Sequence, residues 1–129
     1  MALIEPIFTK NAPQPVANYS QATRVGDLVF LAGQGGFNPA TGKLVGPDMA
    51  SQTRQALSNL REVLAAAGLD FANIASIRYF ITDHSLFPEM NEIHGTFFPS
   101  PPFPARTTVT TGLGPDMLVE IDAIAHAGG

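Results

Sequence analysis

The sequence predicts a single α+β domain in which two helices cover one face of a β-sheet. Two observations carry this prediction: apolar residues recur with helical spacing in two segments, and they alternate with polar residues, as in strands, in the segments around them. The predicted order is two strands, a helix, a strand, a second helix and two strands, which is typical of helices packed on one side of a sheet. At 129 residues, without repeats or a linker, the chain fits one domain spanning residues 1–129.

A β-hairpin is predicted for the segment YSQATRVGDLVFLAGQ, residues 19–34. Gly26 and Asp27 are turn-forming residues between two runs that favour strands. The second run, residues 28–32, is continuously apolar, so we expect this strand to be covered on both faces. The following segment, GGFNPATGKLVG, is rich in glycine and proline and is expected to form a loop.

The clearest helical pattern comes next, between Asp48 as the expected N-cap and Gly68 as the expected C-terminal stop. This distance corresponds to a helix of about five turns. Its predicted buried face comprises Met49, Thr53, Ala56, Leu57, Leu60, Val63, Leu64 and Ala67. The segment NIASIRYFITD then alternates apolar and polar side chains and predicts a strand.

A second helix is predicted over residues 85–98, because Pro88 is tolerated in a first turn and Pro99 prevents continuation. Its expected inner face comprises Phe87, Met90, Asn91, His94 and Phe97 or Phe98. Two strands, residues 106–111 and 117–125, should close the chain as a hairpin around GLGPD. In the last strand, alternation places Glu120 on the same face as Leu118 and Ile124. A carboxylate among apolar neighbours needs a partner or a function.

Composition and charge argue against several classes of function for this chain. Seven Lys and Arg against eleven Asp and Glu give a formal charge of -4 without any basic run, which does not favour nucleic-acid binding. The absence of cysteine excludes disulfides and thiolate chemistry. No apolar stretch approaches the roughly 20 residues that span a bilayer, so we expect a cytoplasmic protein without a signal peptide or membrane partner. The 45% hydrophobic content beside 14% charged residues indicates that some apolar surface meets another subunit.

Motifs for metal, phosphate or serine chemistry are weak. The three histidines, His84, His94 and His126, lack the spacing of a metal site, and we take His94 as a helix-face residue. The GQGG stretch at residues 33–36 is followed by no helix start, so a loop that needs glycine is the better interpretation. The residues therefore predict neither a metal site nor a dinucleotide-binding loop.

Arg106 and Glu120 are the candidate catalytic residues. If the last two strands pair as a hairpin, both side chains lie toward its open end, where a guanidinium could hold a carboxylate and a glutamate could orient a water molecule. The ordinary alternative is that Glu120 faces solvent and Arg106 is a charge at the start of a strand. The pattern of residues by itself favours this alternative.

Four stretches, taken in order, resemble the Rid family (YjgF-like, RidA-like imine deaminases). They are YSQATRVGDLVFLAGQ, QTRQALSNLREVLAAAGLD, MNEIH with the following FFPSPPFPARTTV, and LVEIDAIA, within residues 18–125. The resemblance implies a chorismate-mutase-like sheet of about six strands with two helices on one face, assembled as a homotrimer with sites between subunits. It also implies hydrolysis of reactive enamines and imines, such as 2-aminoacrylate, to 2-keto acids and ammonia without a cofactor.

The same resemblance assigns roles to individual residues. Arg106, in PARTTV, would hold the substrate carboxylate, and Glu120, in LVEI, would position the attacking water. Further substrate-binding positions are implied at Tyr19, Gly33, Asn91 and Thr108. Thr108 stands where the family often has cysteine, and Ala32 where it commonly has serine, which bears on the choice of substrate.

Two other functions remain open from the sequence. A non-catalytic protein of the same fold could use the arginine to bind a 2-keto acid or another small carboxylate. A ribonuclease, an activity attached to some relatives of the family, would need a basic RNA surface that the charge balance does not supply.

Overall fold

The computed structural model describes residues 3–128 and contains, within them, a six-stranded mixed sheet and two α-helices. The strands are β1 (Glu5–Ile7), β2 (Ala22–Val25), β3 (Leu28–Gly35), β4 (Ile74–Ile81), β5 (Ala105–Thr110) and β6 (Val119–His126). The helices are α1 (Met49–Ala66) and α2 (Phe87–Phe97), and short 3-10 turns at Phe71–Asn73 and His84–Leu86 precede β4 and α2. The predicted α+β fold is confirmed, and β1 is an additional strand that the sequence patterns did not indicate.

The strand order is β1-β2-β3-β6-β4-β5, with β5 parallel to β4 and every other pair antiparallel. The predicted hairpin of the last two strands is therefore wrong, because β4 lies between them. The reason is α2: it carries the chain back across the sheet, and a strand that follows such a crossover helix pairs in parallel. The connection of residues 111–118 then brings β6 to the space between β3 and β4, where both of its edges form hydrogen bonds.

The hairpin of β2 and β3 is confirmed, with Gly26 at a φ of 59° in its turn. The expectation that β3 is covered on both faces is not met within one chain. Val29 and Leu31 are buried under the helices, but Leu28 and Phe30, which point to the other face, are each 40% exposed. One face of the sheet thus carries the core, and the other leaves apolar side chains uncovered.

Helix α1 has the predicted ends. The Asp48 side chain accepts a hydrogen bond from the backbone N–H of Ser51 at 2.9 Å, and Gly68 follows the helix with a φ of 76°. Of the predicted inner face all but Ala67 are buried, and Ala67 is half-buried just beyond the helix end. The side chain of Thr53 is buried there without a hydrogen-bond partner among residues 3–128.

Helix α2 differs from its prediction in its start and in its inner face. A 3-10 turn precedes it, so the α-helix begins at Phe87, with Pro88 in its first turn. Met90 and Ile93 are its buried residues, whereas Asn91 is exposed. Because the helix packs through Met90 and Ile93, the side of α2 that carries Asn91 faces away from the core, toward the start of β5.

Two buried amides hold the loops around β3 and β6 in position. Gln52 of α1 donates to the carbonyls of Gly46 and Asp116, and its oxygen accepts from the N–H of Leu118 at 2.8 Å. Asn59, two turns further along, donates to the carbonyls of Gly35, the last residue of β3, and of Phe37. A buried backbone group without such a partner is costly, so these amides determine how the chain enters β6.

Within residues 3–128 no helix combines the length and the apolar character needed to cross a membrane.

Candidate active site

Arg106 is the second residue of the edge strand β5 and projects from its helix-covered side. In the register of the sheet it lies opposite Ile77, which is buried on that face. Its guanidinium donates from Nη1 to the Asn91 side-chain oxygen at 2.7 Å and lies 5.4 Å from the ring centre of Phe87. No ion pair of Arg106 is found among residues 3–128. Most of the N–H donors of the guanidinium are therefore available to an anion from outside the chain.

Thr108 stands two residues after Arg106 and points to the same side of β5. It is opposite Tyr79 in the register and is half-buried. We call Arg106, Asn91, Phe87 and Thr108 the arginine cluster. A cavity of about 580 Å³ opens beside it, lined by Asn91, His94, Gly95, Phe98, Pro99, Phe103, Pro104 and Arg106. The cavity thus combines polar groups, among them the Arg106 guanidinium, with aromatic and proline side chains, as small-molecule sites commonly do.

Glu120 and Gly33 form a second cluster, the glutamate cluster. Glu120 is half-buried in β6 and lies opposite Phe80 of β4 and Gly35 of β3. A Cβ atom on Gly33 would come within 2.6 Å of Glu120 Oε2, so the carboxylate rests in space that only a glycine leaves free. No salt bridge of Glu120 occurs among residues 3–128.

The electrostatic setting of Glu120 makes its carboxylate more basic than usual. Burial, followed by the negative charge of Asp122 on the same face of β6, raises the pKa of Glu120 above its ordinary value. A carboxylate with a raised pKa accepts a proton more readily near neutral pH, which is the property required of a general base.

The two clusters lie on opposite faces of the sheet. Arg106 aligns with Ile77 and Glu120 with Phe80, and residues separated by three positions on one strand point to opposite faces. Strand β4 also separates β5 from β6. The prediction that adjacent strands bring Arg106 and Glu120 to one site within a chain is wrong for this reason.

The remaining predicted residue, Tyr19, precedes β2 and is 50% exposed. Its backbone N–H donates to the carbonyl of Ala17, and its ring makes no aromatic contact within residues 3–128. The structure therefore joins Asn91 and Thr108 with Arg106 and joins Gly33 with Glu120, whereas the Tyr19 side chain makes no hydrogen bond to either cluster within residues 3–128.

Sequence patterns missed two residues of this region, Phe87 and His94. Both had been placed on the inner face of the second helix, yet Phe87 lies beside the Arg106 guanidinium and His94 lines the cavity. A signal was present, since residues three or four apart share a helix face and His94 follows Asn91 by three positions. No group of three or more His, Asp or Glu side chains that could hold a metal ion occurs in the described part of the chain.

Comparisons with known proteins give consistent matches along almost the whole chain. The sequence profile of the family described as Endoribonuclease L-PSP matches residues 9–127. A RutC family protein of Pyrococcus horikoshii is 41% identical over 123 residues, which cover 95% of this chain and 97% of that protein. A 2-iminobutanoate/2-iminopropanoate deaminase of Dermatophagoides farinae is 39% identical over 119 residues, covering 92% of each chain.

Among solved structures, YyfA of Yersinia pestis, a Rid family protein of unknown function, superimposes with a TM-score of 0.92 and 40% identity. The match covers 95% of this chain and 98% of that one. The similarity in sequence and the similarity in structure point to one and the same group. The chain belongs to the Rid family, which is also described as the Endoribonuclease L-PSP family.

Proposed function

We propose that this protein is an enamine/imine deaminase. It hydrolyses small 2-imino acids and their enamine tautomers, of the 2-aminoacrylate type, to 2-keto acids and ammonia. The names of relatives support this reaction class, since one relative is a 2-iminobutanoate/2-iminopropanoate deaminase. The observation that carries the proposal is the arginine cluster, in which the Arg106 guanidinium is oriented by Asn91 but has no carboxylate partner among residues 3–128.

Arg106 anchors the substrate in this proposal. The planar guanidinium binds the 2-carboxylate through two parallel hydrogen bonds, while the Asn91 side-chain oxygen accepts a further hydrogen bond from Nη1. Bidentate binding fixes the orientation of the adjacent C=N group as well as its position. Phe87, 5.4 Å from the guanidinium, limits its movement.

Glu120 acts on the water. Its carboxylate accepts a hydrogen bond from a water molecule and takes a proton as the water oxygen bonds to C2 of the imine, whose nitrogen receives a proton. The resulting carbinolamine then loses ammonia: the C–N bond breaks, the hydroxyl oxygen becomes the carbonyl oxygen, and the hydroxyl proton passes to the leaving nitrogen. The sum is one imino acid and one water giving one 2-keto acid and one ammonia, without oxidation or reduction.

Such a site needs two copies of the chain, because Arg106 and Glu120 lie on opposite faces of one sheet. We propose a homotrimer in which the arginine cluster of one subunit faces the glutamate cluster of the next, which gives three equivalent sites. The uncovered sheet face supports burial against another subunit: Leu28 and Phe30 are 40% exposed and Ile124 is 37% exposed. Tyr19, which is 50% exposed, is proposed to complete the wall of the cleft from a neighbouring subunit.

Turnover tests the reaction. Imines generated from amino acids by an amino-acid oxidase hydrolyse slowly by themselves and are trapped by semicarbazide, so an active deaminase lowers the yield of semicarbazone. We expect the wild-type protein to lower it and to speed ammonia release, and Arg106→Ala and Glu120→Ala to lose this effect. Ammonia release at the uncatalysed rate with wild-type protein would show that the proposal is wrong.

The Glu120→Ala variant distinguishes an enzyme from a non-catalytic protein that only binds carboxylates in the same cleft. If the protein only binds carboxylates, wild-type protein binds 2-keto acids without turnover, and Glu120→Ala changes nothing that can be measured. If it is an enzyme, Glu120→Ala loses turnover and retains 2-keto acid binding through Arg106. The formal charge of -4 and the sequence pI of about 5.1 do not favour RNA as the substrate, despite the family description.

A further inference from the structure

Tyr79 and His94 form a hydrogen-bonded pair directly beside the arginine cluster. Tyr79 is fully buried on the covered face of β4, and its hydroxyl oxygen lies 2.6 Å from Nδ1 of His94 on α2. The two rings meet edge to face with their centres 5.3 Å apart, and Phe98 stacks on His94 at 4.6 Å. Contacts with two aromatic rings and one hydrogen bond fix the orientation of the imidazole.

The protonation of this pair follows from its surroundings. Burial raises the pKa of Tyr79 well above its ordinary value, so the hydroxyl keeps its proton. Burial, followed by the positive charge of Arg106, lowers the pKa of His94 to about 4, so the imidazole is neutral near pH 7. The buried hydroxyl has no acceptor other than Nδ1 within residues 3–128 and therefore donates to it. A neutral imidazole that accepts at Nδ1 carries its proton on Nε2.

The Nε2–H group of His94 is accessible from outside the chain. His94 makes no side-chain hydrogen bond in the described part of the chain other than the one to Tyr79. Within residues 3–128, the one side-chain nitrogen or oxygen that is fully buried without a hydrogen-bond partner is Thr53 Oγ1. His94 Nε2 also has no partner but is not in this class, so it is not fully buried. The Nε2 of the half-buried His94 is therefore accessible, and His94 lines the cavity together with Asn91 and Arg106.

We propose that His94 determines substrate specificity by donating a hydrogen bond from Nε2 to an oxygen acceptor on the substrate side chain. Tyr79 is a positioning residue that acts through His94 by fixing its tautomer. This inference rests on the proposed function, because it takes Arg106 as the group that binds the 2-carboxylate. The preferred substrates are 2-imino acids with a short apolar chain that ends in an oxygen acceptor, such as a carboxylate or an amide, and the corresponding 2-keto acid products share this preference.

The lining of the cavity suits substrates of this class better than substrates with a purely apolar side chain. Phe98, Phe103 and Pro104 supply apolar wall for methylene groups, while Arg106 and His94 supply donors. A substrate that ends in a methyl group would cover Nε2–H and leave it without an acceptor, which costs affinity. The pair of donors thus favours ligands with acceptors at both ends.

Three 2-keto acids of the same side-chain shape test the inference: 2-oxoglutarate, 2-oxoglutaramate and 5-methyl-2-oxohexanoate. Calorimetric titration of wild-type protein should show 2-oxoglutaramate binding about fivefold more tightly than the apolar acid, the effect of one neutral hydrogen bond, and 2-oxoglutarate binding at least as tightly as the amide. His94→Phe, which retains ring stacking on Phe98, should bring this ratio close to one. His94→Gln should restore part of it, because its amide places an N–H near the position of Nε2.

Tyr79→Phe tests the positioning role separately. With only three histidines in the chain, the ring nitrogens of His94 can be followed by ¹⁵N NMR. Wild-type protein should show a protonated Nε2 and an unprotonated Nδ1, whereas Tyr79→Phe should show a mixture of tautomers. The preference for oxygen-terminated acids should fall about twofold in that variant, because only part of the population then presents the donor. Affinity for the apolar acid should not change.

The outcomes distinguish this inference from the proposed function. Equal binding of the three acids by wild-type protein, or an unchanged ratio in His94→Phe, overturns the role of His94 and leaves imine hydrolysis untouched. A wild-type Nδ1–H tautomer overturns the role of Tyr79. If wild-type protein binds none of the acids, Arg106 does not hold a carboxylate, and the proposed function and this inference fail together.

Discussion

Arg106 has an oriented guanidinium that forms no ion pair among residues 3–128. It sits on an edge strand, its guanidinium is oriented by Asn91 at 2.7 Å, and no acid of the described chain pairs with it. Asn91 can orient the guanidinium without neutralising its charge, because an amide oxygen accepts a hydrogen bond but carries no net charge. This arrangement leaves the guanidinium charge available to an anion from outside the chain.

We expect Arg106→Lys to reduce kcat/KM by about 10- to 100-fold although the positive charge remains. An ammonium group cannot form the two parallel hydrogen bonds of a guanidinium, and the loss corresponds to one charge-assisted interaction. Steady-state kinetics with an oxidase-generated imine measures the effect. Arg54→Lys is the matched control, since Arg54 is exposed on α1, and it should behave as wild type. Wild-type kinetics in Arg106→Lys would rule out bidentate binding.

Gly33→Ala should separate activity from stability. The new Cβ would lie 2.6 Å from Glu120 Oε2, the end of a flexible side chain, so the carboxylate moves and the sheet does not. Gly33 has no positive φ, so alanine is compatible with its backbone. We expect kcat to fall by about 10- to 100-fold, because a displaced base no longer aligns the water. Thermal unfolding should change little.

Two further glycines serve as controls for this variant. A Cβ on Gly36 would lie 2.6 Å from the Cα of Gln52, so Gly36→Ala should destabilise the protein by about 1–3 kcal/mol through a shift of α1. A Cβ on Gly112 meets nothing within 4 Å, and Gly112→Ala should resemble wild type. A Gly33→Ala variant with full activity would mean that the resting position of the Glu120 carboxylate is not the active one.

Among the secondary-structure elements, α2 determines where the arginine cluster lies in the fold. It delivers β5 to the edge of the sheet in parallel with β4, packs on the core through Met90 and Ile93, and presents Asn91 to Arg106. Helix α1 performs the corresponding task for β6, because Gln52 binds the N–H of Leu118 immediately before that strand. The position of each cluster therefore depends on one helix.

The start of α1 yields a pH-dependent prediction. The backbone hydrogen bond from Ser51 lowers the pKa of Asp48 below its ordinary value of 3.8. The stability that this carboxylate contributes is fully present above that value and is lost as the pH falls through the lower pKa of the folded state. Asp48→Asn retains an acceptor without the charge, so its melting temperature should lie below that of wild type at pH 7 and approach it near pH 3.

Asp48→Ala provides the comparison, since it lacks both the acceptor and the charge. It should remain less stable than Asp48→Asn at every pH between 3 and 7, as measured by thermal unfolding followed by circular dichroism. A gap between wild type and Asp48→Asn that stays constant over this range would contradict the assigned role of the Asp48 charge.

For the whole molecule, the decisive fact is that the two clusters face opposite directions. The β-sheet separates Arg106 from Glu120 in one chain, so a site that uses both residues requires a second copy. The same sheet leaves Leu28 and Phe30 exposed on the face that the helices do not cover. Assembly would bury this apolar surface and complete the site in one step.

Mixing two inactive variants tests this arrangement. Arg106→Ala and Glu120→Ala should each be inactive alone, but unfolding and refolding them together in equal amounts should restore about a quarter of wild-type activity. The reason is statistical: about one interface in four then combines an intact Arg106 with an intact Glu120. A site contained within one chain would give no recovery. Refolding each variant alone is the control, and sedimentation measurements report whether trimers form.

The sequence determined both helices, every strand except β1, and the side-chain directions along α1 and β6. Helical spacing predicted the buried face of α1 and its ends at Asp48 and Gly68, because capping and amphipathicity are local properties. Alternation along β6 predicted that Glu120 lies opposite the buried side of that strand, which the burial of Val119 and Ile121 confirms. Family resemblance added the roles proposed for Arg106 and Glu120, and no local pattern distinguishes these two residues from ordinary charged strand residues.

Only the tertiary structure decided which strands are neighbours and which side chains meet. The order β3-β6-β4-β5 depends on competition among strand edges that are far apart in the chain, and a short connection such as GLGPD does not reveal whether its strands pair with each other. The contacts of Arg106 with Asn91 and of Tyr79 with His94 each join a strand to α2 across 15 positions of sequence. Such contacts arise from packing in three dimensions, and periodicity along the chain carries no information about them.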